Sequence, residues 1–313
     1  MSSDARLVLA TGYHARARPL WEGRVKMSNL RLEIVPFRND GERHRRFLNG
    51  EFDGAEFSLA LYLALKSRGA PFEAIPVFPN RRFRHSFIFV REDSPLKDPS
   101  GLKGKSVGIP SYLNTCGLWV RGLLGDEYGV EVRDIRWKAA RKEPVDIPLP
   151  PGTHVELLPG KEDLKTRLLR GEVDAAITPE IPEGKETRPI LSTAKEAEKD
   201  YYRRTSVYPI SHAILIRRPI LEESPWVAEE LFQAWSEAKR LSLEDDADPT
   251  YSNFAWVRDL WEEERELLGP DPWRYGISGN ERTIEALIRY GAEQGLIAGK
   301  ADIGSLFYPV RES

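Results

Sequence analysis

The segment DGAEFSLALYLALKSRGAPFEAIPVFP, residues 53–79, contains the local pattern that decides the fold. It passes from the end of a strand into an apolar helix, and that helix must stop before Pro71 because proline disfavours helical backbone in the residue before it. The β-rich run FEAIPVFP (72–79) follows immediately. A strand, a helix and a second strand in this order are typical of an α/β sheet with parallel members.

The same alternation continues on the N-terminal side of this segment. RLVLA (6–10) and LRLEIVPF (30–37) are predicted strands. The stretch 40–51, DGERHRRFLNGE, is a predicted helix with Asp40 as its N-cap and Gly50 just after its end. These elements indicate that the first hundred residues build one α/β unit.

A second unit follows, with a predicted strand at Lys105–Ile109 and a helix that runs to about Leu124. The proline-rich segment 141–154 is expected to be a surface loop without chemistry, and the chain is strongly helical after residue 218. This order predicts two α/β lobes, the second inserted into the first, with a ligand cleft between them. The predicted lobes are 1–101 with 212–313, and 102–211, so the chain would cross near residues 100 and 210.

Composition excludes several classes of function. The 313 residues carry 46 Lys and Arg against 49 Asp and Glu, and this balance argues against a general nucleic-acid binder. Cys116 is the only cysteine, which excludes an intrachain disulfide and a multi-cysteine metal site. No segment approaches the ~20 consecutive apolar residues of a membrane span, and residues 1–20 lack the pattern of a signal peptide. We therefore expect a cytoplasmic protein without membrane or nucleic-acid partners.

A basic stretch precedes the predicted strand SFIFVRED (86–93). Arg81, Arg82, Arg84 and His85 fall within five residues of one another. Two interpretations are open: a solvated basic edge of the sheet, or a pocket for an anionic substrate. Arginine suits the second, because its planar guanidinium meets a carboxylate with two parallel hydrogen bonds.

Several longer segments together resemble the 4,5-dihydroxyphthalate decarboxylase family, and they occur in the same order between about Leu7 and the last helix. These segments are AIPVFPNRRFRHSFIFVRED (74–93), RGLLGDEYGV (121–130), LLRGEVDAAI (168–177), YYRRTSVYPISHAILIRR (201–218) and PWVAEELFQAWSEAKRLS (225–242). The resemblance implies a two-lobed α/β fold similar to the type II periplasmic binding proteins, in agreement with the inserted lobe predicted above.

The resemblance also implies a reaction: 4,5-dihydroxyphthalate, or a close analogue, is converted to protocatechuate and carbon dioxide without a cofactor. Each ring carboxylate lies para to a hydroxyl, so the ring carbon that bears it is electron-rich and can be protonated before carbon dioxide leaves. A protein needs cationic groups for the carboxylates, a general acid, and an acceptor for charge at the para oxygen. The alternative is a solute-binding protein that holds an aromatic or dicarboxylate ligand without chemistry, because most proteins of this fold bind.

The resemblance, together with the positions of polar residues at predicted strand ends and helix starts, suggests roles for particular residues. His212 or His85 would deliver the ring proton, since imidazole gives and takes protons near neutrality. Glu56 would orient a histidine or accept a catechol proton. The expected substrate-binding residues are Arg81, Arg84, Ser86, Ser58, Tyr13, Ser111, Asn114, Thr115 and Arg204. No metal site is expected, because the chain has no HExxH motif and no cysteine cluster.

Alternatives stay open for some of these residues. Ser58 could simply cap a helix, and Arg204, beside Tyr202 and Arg203, could brace the hinge between the lobes. His14 could face the cleft. We expect His44 to be solvated, and the same reasoning assigns no chemistry to His154.

Three positions depart from the pattern of the family, and they leave the substrate's identity open. They are Ser111, Ser211 and Arg274. The eight tryptophans, several of them in the C-terminal helices, could leave apolar surface for a homo-oligomer.

Overall fold

The structure, a computed structural model, describes residues 5–180, 182–298 and 301–312. Its strands are β1 (Ala5–Gly12), β2 (Leu30–Phe37), β3 (Gly54–Ser58), β4 (Phe72–Arg81), β5 (Ile88–Arg91), β6 (Ser106–Ile109), β7 (Arg136–Ala139), β8 (His154–Leu157), β9 (Ala175–Ile177), β10 (Thr187–Pro189) and β11 (Ile210–Arg217). Its helices are α1 (Arg18–Trp21), α2 (Asp40–Leu48), α3 (Leu59–Lys66), α4 (Thr115–Tyr128), α5 (Leu164–Leu169), α6 (Ala194–Thr205), α7 (Arg218–Glu223), α8 (Trp226–Ala247), α9 (Val257–Leu268), α10 (Glu281–Glu293) and α11 (Ile303–Leu306).

The strands form two sheets. The first sheet has the order β2-β1-β3-β11-β4, with β1 parallel to both β2 and β3. Strand β11 pairs antiparallel with both β3 and β4. Parallel neighbours need a crossover connection: the segment with α1 joins β1 to β2, and α2 lies between β2 and β3, which pairs with the other side of β1. The α/β class predicted from 53–79 is therefore confirmed.

The second sheet has the order β10-β5-β9-β6-β7-β8. Strands β6 to β9 pair in parallel within it, whereas β5 and β10 run antiparallel at one side. Strand β5 comes from the N-terminal part of the chain, so the chain crosses from the first sheet to the second between Arg81 and Ile88. The sequence places that crossing later, near residue 100.

The return crossing lies before Ile210, where β11 re-enters the first sheet next to β3 and β4. The predicted lobe ranges stay a prediction, because membership of a sheet does not delimit a domain. Residues 1–4, 181, 299–300 and 313 of those ranges lie outside the described residues.

Two helix starts differ by one residue from the sequence prediction. Asn39, not Asp40, caps α2, and its side chain accepts a hydrogen bond from the Glu42 backbone. For α8 the sequence predicts Ser224 as the N-cap and Pro225 as the first helical residue, whereas the helix begins at Trp226 with Pro225 as its N-cap residue. Asp and Asn are both good N-caps, so local preference cannot separate adjacent candidates.

The larger of two hydrophobic clusters extends across both sheets, and the smaller one, around Leu168, belongs to the second sheet. One cluster of buried side chains includes Leu9 and Phe57 of the first sheet together with Val107 and Trp137 of the second. Trp119 of α4 joins the halves further, because its indole Nε1 donates to the Ile210 carbonyl at 2.7 Å. Within the described ranges, no helix is both long enough and apolar enough to cross a bilayer.

Candidate active site

A cavity of about 620 Å³ lies between the two sheets, and we call it the interlobe cavity. This volume is within the usual range for pockets that bind small molecules. Side chains that line it from the first sheet include Asp40, His44, Ser58, Arg82, Arg84, Ser211 and His212. Those that line it from the second sheet include Ser111, Asn114, Thr115, Cys116, Arg141 and Glu143.

Glu56 of β3 is the buried centre of the polar cluster beside this cavity. Its Oε1 accepts a hydrogen bond from Nδ1 of His212 at 2.7 Å. Its Oε2 accepts from Nε2 of His14 at 2.9 Å and from the backbone N–H of Gly12 at 2.7 Å. A carboxylate can only accept, so Nδ1 of His212 carries a proton and the orientation of the ring is set.

Arg43 of α2 keeps Glu56 ionised. The guanidinium has no exposed surface, its Nη2 lies 3.7 Å from Oε1 of Glu56, and its Nη1 donates to Oδ1 of Asp40 at 2.8 Å. Burial by itself raises the pKa of Glu56, but the Arg43 charge and the hydrogen bonds from both histidines outweigh it and hold the pKa well below its ordinary value. The cluster therefore presents a fixed carboxylate to His212.

The second ring nitrogen of His212 is available for chemistry. Nε2 lies 3.8 Å from Oδ2 of Asp40, and the residue lines the interlobe cavity. A regular strand would turn Ser211 and His212 to opposite faces. The pairing of β11 with β4 changes register on both sides of His212, and such a bulge re-aims side chains, so both residues reach the cavity.

His44 also lines the cavity, in contrast to the solvated position expected from the sequence. Its ring packs 4.6 Å from that of Phe57 and 5.5 Å from that of His212, between ring centroids. Burial, followed by the charges of Arg43 and His212, lowers the pKa of His44 well below its ordinary value. The charged sequence of α2 does not reveal that one face of this helix turns toward the cleft.

Positive charge dominates the lining of the cavity. Three acidic side chains line it, against six basic ones: Arg38, Arg45, Arg82, Arg84, Arg141 and Lys142. Throughout the described part of the chain, no carboxylate lies within 4.0 Å of any of the six. Cations without a carboxylate partner around a cavity favour an anionic ligand.

Arg84 is the most deeply placed of these cations, with 3% of its surface exposed. Its Nη2 donates to the Ser211 hydroxyl, whereas Nε and Nη1 have no hydrogen-bond partner in the described part of the chain. Burial lowers the pKa of this side chain, since water no longer solvates its charge. An anion beside Arg84 would compensate that charge.

Two curated relatives carry the same name. A 4,5-dihydroxyphthalate decarboxylase of Comamonas testosteroni is 30% identical over 323 residues, which cover 98% of this chain and 97% of the relative. The chain belongs to the 4,5-dihydroxyphthalate decarboxylase family. A relative with that name from Pseudomonas putida is 35% identical over 185 residues, or 56% of this chain and 71% of its own length. The resemblance identified from the sequence is confirmed.

The fold of this family member is that of the periplasmic binding proteins. Residues 25–181 match the model of a periplasmic substrate-binding protein of phosphonate ABC transporters. A Candida albicans gene product, described as having the generic periplasmic binding protein fold, aligns with a TM-score of 0.53 at 13% identity and covers 98% of this chain and 96% of its own. The fold class predicted from the sequence is confirmed.

The structure brings only some of the expected decarboxylase residues to the cavity. Arg81 lies outside its lining, because its two Nη atoms donate to the carbonyls of Arg274 and Tyr208. His85 is also outside, with its ring 5.2 Å from that of Tyr201, and burial lowers its pKa to about 4. Ser86 donates through its backbone and its hydroxyl to Glu198, so it too faces away from the ligand space.

Two more expected residues lie on the surface. Arg204 forms ion pairs with Glu127 and with Asp200, the arrangement of a brace between helices α4 and α6. Tyr13 is exposed and stacks on Trp21 with 5.4 Å between ring centroids. Neither residue lines the interlobe cavity.

The expected hydroxyl and amide residues do meet at the cavity. Ser58 caps α3, and its Oγ lies 2.7 Å from Oγ1 of Thr115 across the two sheets. Asn114 caps α4 through the Gly117 backbone, and Ser111 lines the same wall. The capping role and the cleft-facing position of Ser58 therefore coexist.

Sequence reasoning missed several residues of the cluster and the cavity. Arg43 and Asp40 lie in α2, whose many charges predict a solvated helix. Arg141 and Glu143 belong to the proline-rich segment, to which the sequence assigned no chemistry. A cation at the buried face of an otherwise exposed helix was the one available signal for Arg43.

The donor atoms of the described residues do not suggest a metal site. The described ranges contain no group of three or more His, Cys, Asp or Glu side chains arranged to hold an ion. Glu56, His14 and His212 come close to one another, but both imidazole nitrogens that face Glu56 already donate to it.

Proposed function

We propose that this protein decarboxylates a hydroxylated aromatic dicarboxylate, 4,5-dihydroxyphthalate or a close analogue, by protonating the ring. The names of its relatives support a decarboxylase function. One observation supports the finer assignment: His212, oriented by Glu56, faces a cavity lined by six basic side chains. A proton donor beside a site for carboxylates is what this chemistry requires.

The cations hold the substrate. Arg84 binds one carboxylate in the depth of the cavity, where its Nε and Nη1 have no protein partner among the described residues. Arg82 and Arg141, both exposed side chains of the lining, bind the second carboxylate nearer the solvent. Holding two adjacent carboxylates fixes the ring in its plane, so one ring carbon faces His212.

His212 then supplies the proton. The imidazolium transfers its Nε2 proton to the ring carbon that carries the leaving carboxylate, and the ring loses aromaticity. The bond between that carbon and the carboxylate breaks, its electron pair returns to the ring, and carbon dioxide leaves. Glu56 stabilises the imidazolium before transfer and holds the neutral ring afterwards. Solvent restores the proton, so each turnover consumes one.

The reaction so described needs no cofactor, because ring protonation moves no electrons between molecules. Purified protein with 4,5-dihydroxyphthalate should release carbon dioxide and form protocatechuate, followed by its ultraviolet spectrum. We expect the same rate with and without a metal chelator. A rate that collapses on chelation and recovers with added metal would contradict cofactor independence.

The substitution His212→Gln tests the role of the acid. Glutamine fills similar space and can still donate to Glu56, but it cannot be protonated. Turnover should fall by roughly 10²–10⁴-fold, the usual contribution of a general acid. The dissociation constant of the substrate, measured by calorimetry, should stay within about threefold, because the arginines that bind it are unchanged.

The matched control is His154→Gln, since His154 is exposed at the start of β8 and outside the cavity lining. Its turnover should equal that of the unchanged protein. Near-normal turnover in His212→Gln would remove His212 from the mechanism.

Binding without chemistry is the second candidate function. The match of residues 25–181 to a periplasmic substrate-binding protein favours it. In that case 4,5-dihydroxyphthalate would raise the melting temperature of the protein, and no carbon dioxide would form.

A further inference from the structure

Glu143 is an acidic side chain in a cavity that otherwise attracts anions. It lies in the segment between β7 and β8 and is half-buried. The two other acidic residues of the lining differ from it: Asp40 is paired with Arg43 at 2.8 Å, and Glu180 is exposed. Glu143 is thus the acid that is both held in place and free of an ion pair among the described residues.

Backbone groups hold this carboxylate on the wall opposite His212. Oε1 of Glu143 accepts from the backbone N–H of Tyr112, and Oε2 accepts from that of Leu113 at 3.2 Å. The Ser111 side chain makes a smaller contribution that lowers the pKa of this carboxyl group. A carboxylate offers about four acceptor positions, so at least one is left to point at a ligand.

The surroundings make Glu143 a better proton acceptor than an exposed glutamate. Burial raises the pKa of its carboxyl group, although the hydrogen bonds from Tyr112 and Leu113 oppose that rise. Such a carboxylate is a suitable proton acceptor for a hydrogen-bond donor that becomes more acidic during a reaction. The hydroxyl para to the protonated ring carbon is a donor of this kind, because positive charge spreads to its oxygen.

We propose that Glu143 accepts a hydrogen bond from the ring hydroxyl para to the leaving carboxylate. This contact would select hydroxylated aromatic dicarboxylates over those without hydroxyls. This inference rests on the proposed function and adds the third group that the chemistry requires. His212 and Arg84 belong to the first sheet's wall, so a flat ring between the walls can meet both sides at once.

The atoms balance in this scheme. As His212 protonates the ring carbon, the O–H bond of the para hydroxyl breaks, its proton moves to Glu143, and a neutral dienone forms. The C–C bond to the carboxylate then breaks, its electron pair returns to the ring, and carbon dioxide leaves. The oxygen takes its proton back from Glu143. The net reaction still consumes one proton, from His212.

The test compares 4,5-dihydroxyphthalate with phthalate, which lacks both hydroxyls. Binding is measured by calorimetry in the His212→Gln protein, so that no substrate is consumed, with and without Glu143→Gln. We expect the dihydroxy compound to bind roughly tenfold more tightly than phthalate when Glu143 is present. Glu143→Gln should bring that ratio close to one while leaving the phthalate constant unchanged. In the otherwise unchanged protein, the same substitution should lower kcat by about 10²-fold.

Glu156→Gln is the matched control. Glu156 is exposed on β8 outside the cavity lining, and its replacement by glutamine removes the same charge. It should preserve both the ratio and kcat. Should Glu143→Gln fail to fold by circular dichroism, Glu143→Asp replaces it, since the shorter carboxylate keeps the charge but withdraws from the ring and should still reduce the ratio.

The outcomes distinguish the role of Glu143 from the proposed decarboxylase function. Equal loss of affinity for both compounds, or a ratio that survives Glu143→Gln, overturns the role of Glu143 and leaves the decarboxylase proposal standing. Failure of the unchanged protein to bind either compound or to release carbon dioxide overturns the proposed function, and the role of Glu143 with it.

Discussion

Glu56 shows how one side chain carries the geometry of the site. It is 1% exposed, and it contacts both histidines and the buried Arg43. In an apolar interior, an arginine without an anion is strongly unfavourable. Glu56 therefore serves the stability of the fold and the orientation of His212 at once.

Replacing this carboxylate by an amide should unfold the protein more easily. We expect Glu56→Gln to lower the free energy of unfolding at pH 7 by about 3–5 kcal/mol, the usual effect of breaking a buried ion pair. The pKa of Glu56 is depressed in the folded state, so its contribution is present above the unfolded value of ~4.3 and is lost as the pH falls. Urea unfolding at several pH values should show the difference shrinking below about pH 4.

Glu33→Gln is the contrast for that experiment. Glu33 pairs with Arg6 at 2.6 Å, but both side chains are exposed. Surface pairs contribute about 0–1 kcal/mol, because water screens them. Equal costs for the two substitutions would show that burial does not control the energetics at Glu56.

At the scale of elements, the contact between α4 and α10 joins the second sheet to the C-terminal helices. Tyr290 of α10 lies against Gly122 of α4, and its ring meets that of Trp119 with 5.6 Å between centroids. A Cβ on residue 122 would lie only 2.5 Å from Cγ of the Tyr290 ring. This crossing requires a glycine, since the tyrosine packs directly on the helix backbone.

The substitution Gly122→Ala should therefore separate the two helices. We expect a loss of about 1–3 kcal/mol in the free energy of unfolding, the typical cost of overpacking. Gly125→Ala is its control in the same helix, where an added Cβ meets nothing within 4 Å and alanine favours the helix by about 0.5–1 kcal/mol. Denaturant melts of both proteins would contradict this account if the two substitutions behaved alike.

At the scale of the whole molecule, His85 lies where the chain passes from the first sheet to the second, and it makes the stability of the protein depend on pH. It follows β4, where the chain leaves the first sheet, and its ring packs on Tyr201 of α6. Burial lowers its pKa to about 4, and the opposing effect of Glu127 is smaller. The unfolded chain, with an ordinary histidine pKa of ~6.5, binds this proton more readily than the folded protein does.

Stability should consequently decline as the pH falls from about 6.5 to about 4, by on the order of 1 kcal/mol per pH unit from this residue. His85→Gln should flatten the slope in that window, as measured by urea unfolding between pH 4 and pH 7. His154→Gln, at an exposed position, should leave the slope unchanged. An identical slope in the His85→Gln protein would contradict the assignment.

Local patterns were sufficient for many of the strands and helices. Strand β2 begins and ends at the predicted residues, and the predicted strand at Lys105–Ile109 contains β6. Alternation of apolar residues and turn signals depend on neighbours in the chain, so they can be read without tertiary contacts. The resemblance to the family also depended only on short sequence segments. The cytoplasmic location, the oligomeric state and the role of each site residue stay predictions.

The composition of the site depended on contacts between distant residues. Glu56 and His212 meet because β3 pairs with β11, two strands about 150 positions apart, and His14 reaches Glu56 from the end of β1, which pairs with β3. Arg81 and Arg84 belong to one basic stretch, yet only Arg84 lines the cavity.

Sequence by itself thus determined the α/β class, many of the strands and helices, and the family, because each rests on local patterns or on short sequence segments. Tertiary structure decided which histidines and which arginines line the cavity, and it placed Glu143 of the proline-rich segment in the same lining. The physical reason is that the pairing register of distant strands and the packing between the two sheets aim these side chains, and neither is encoded in any short stretch.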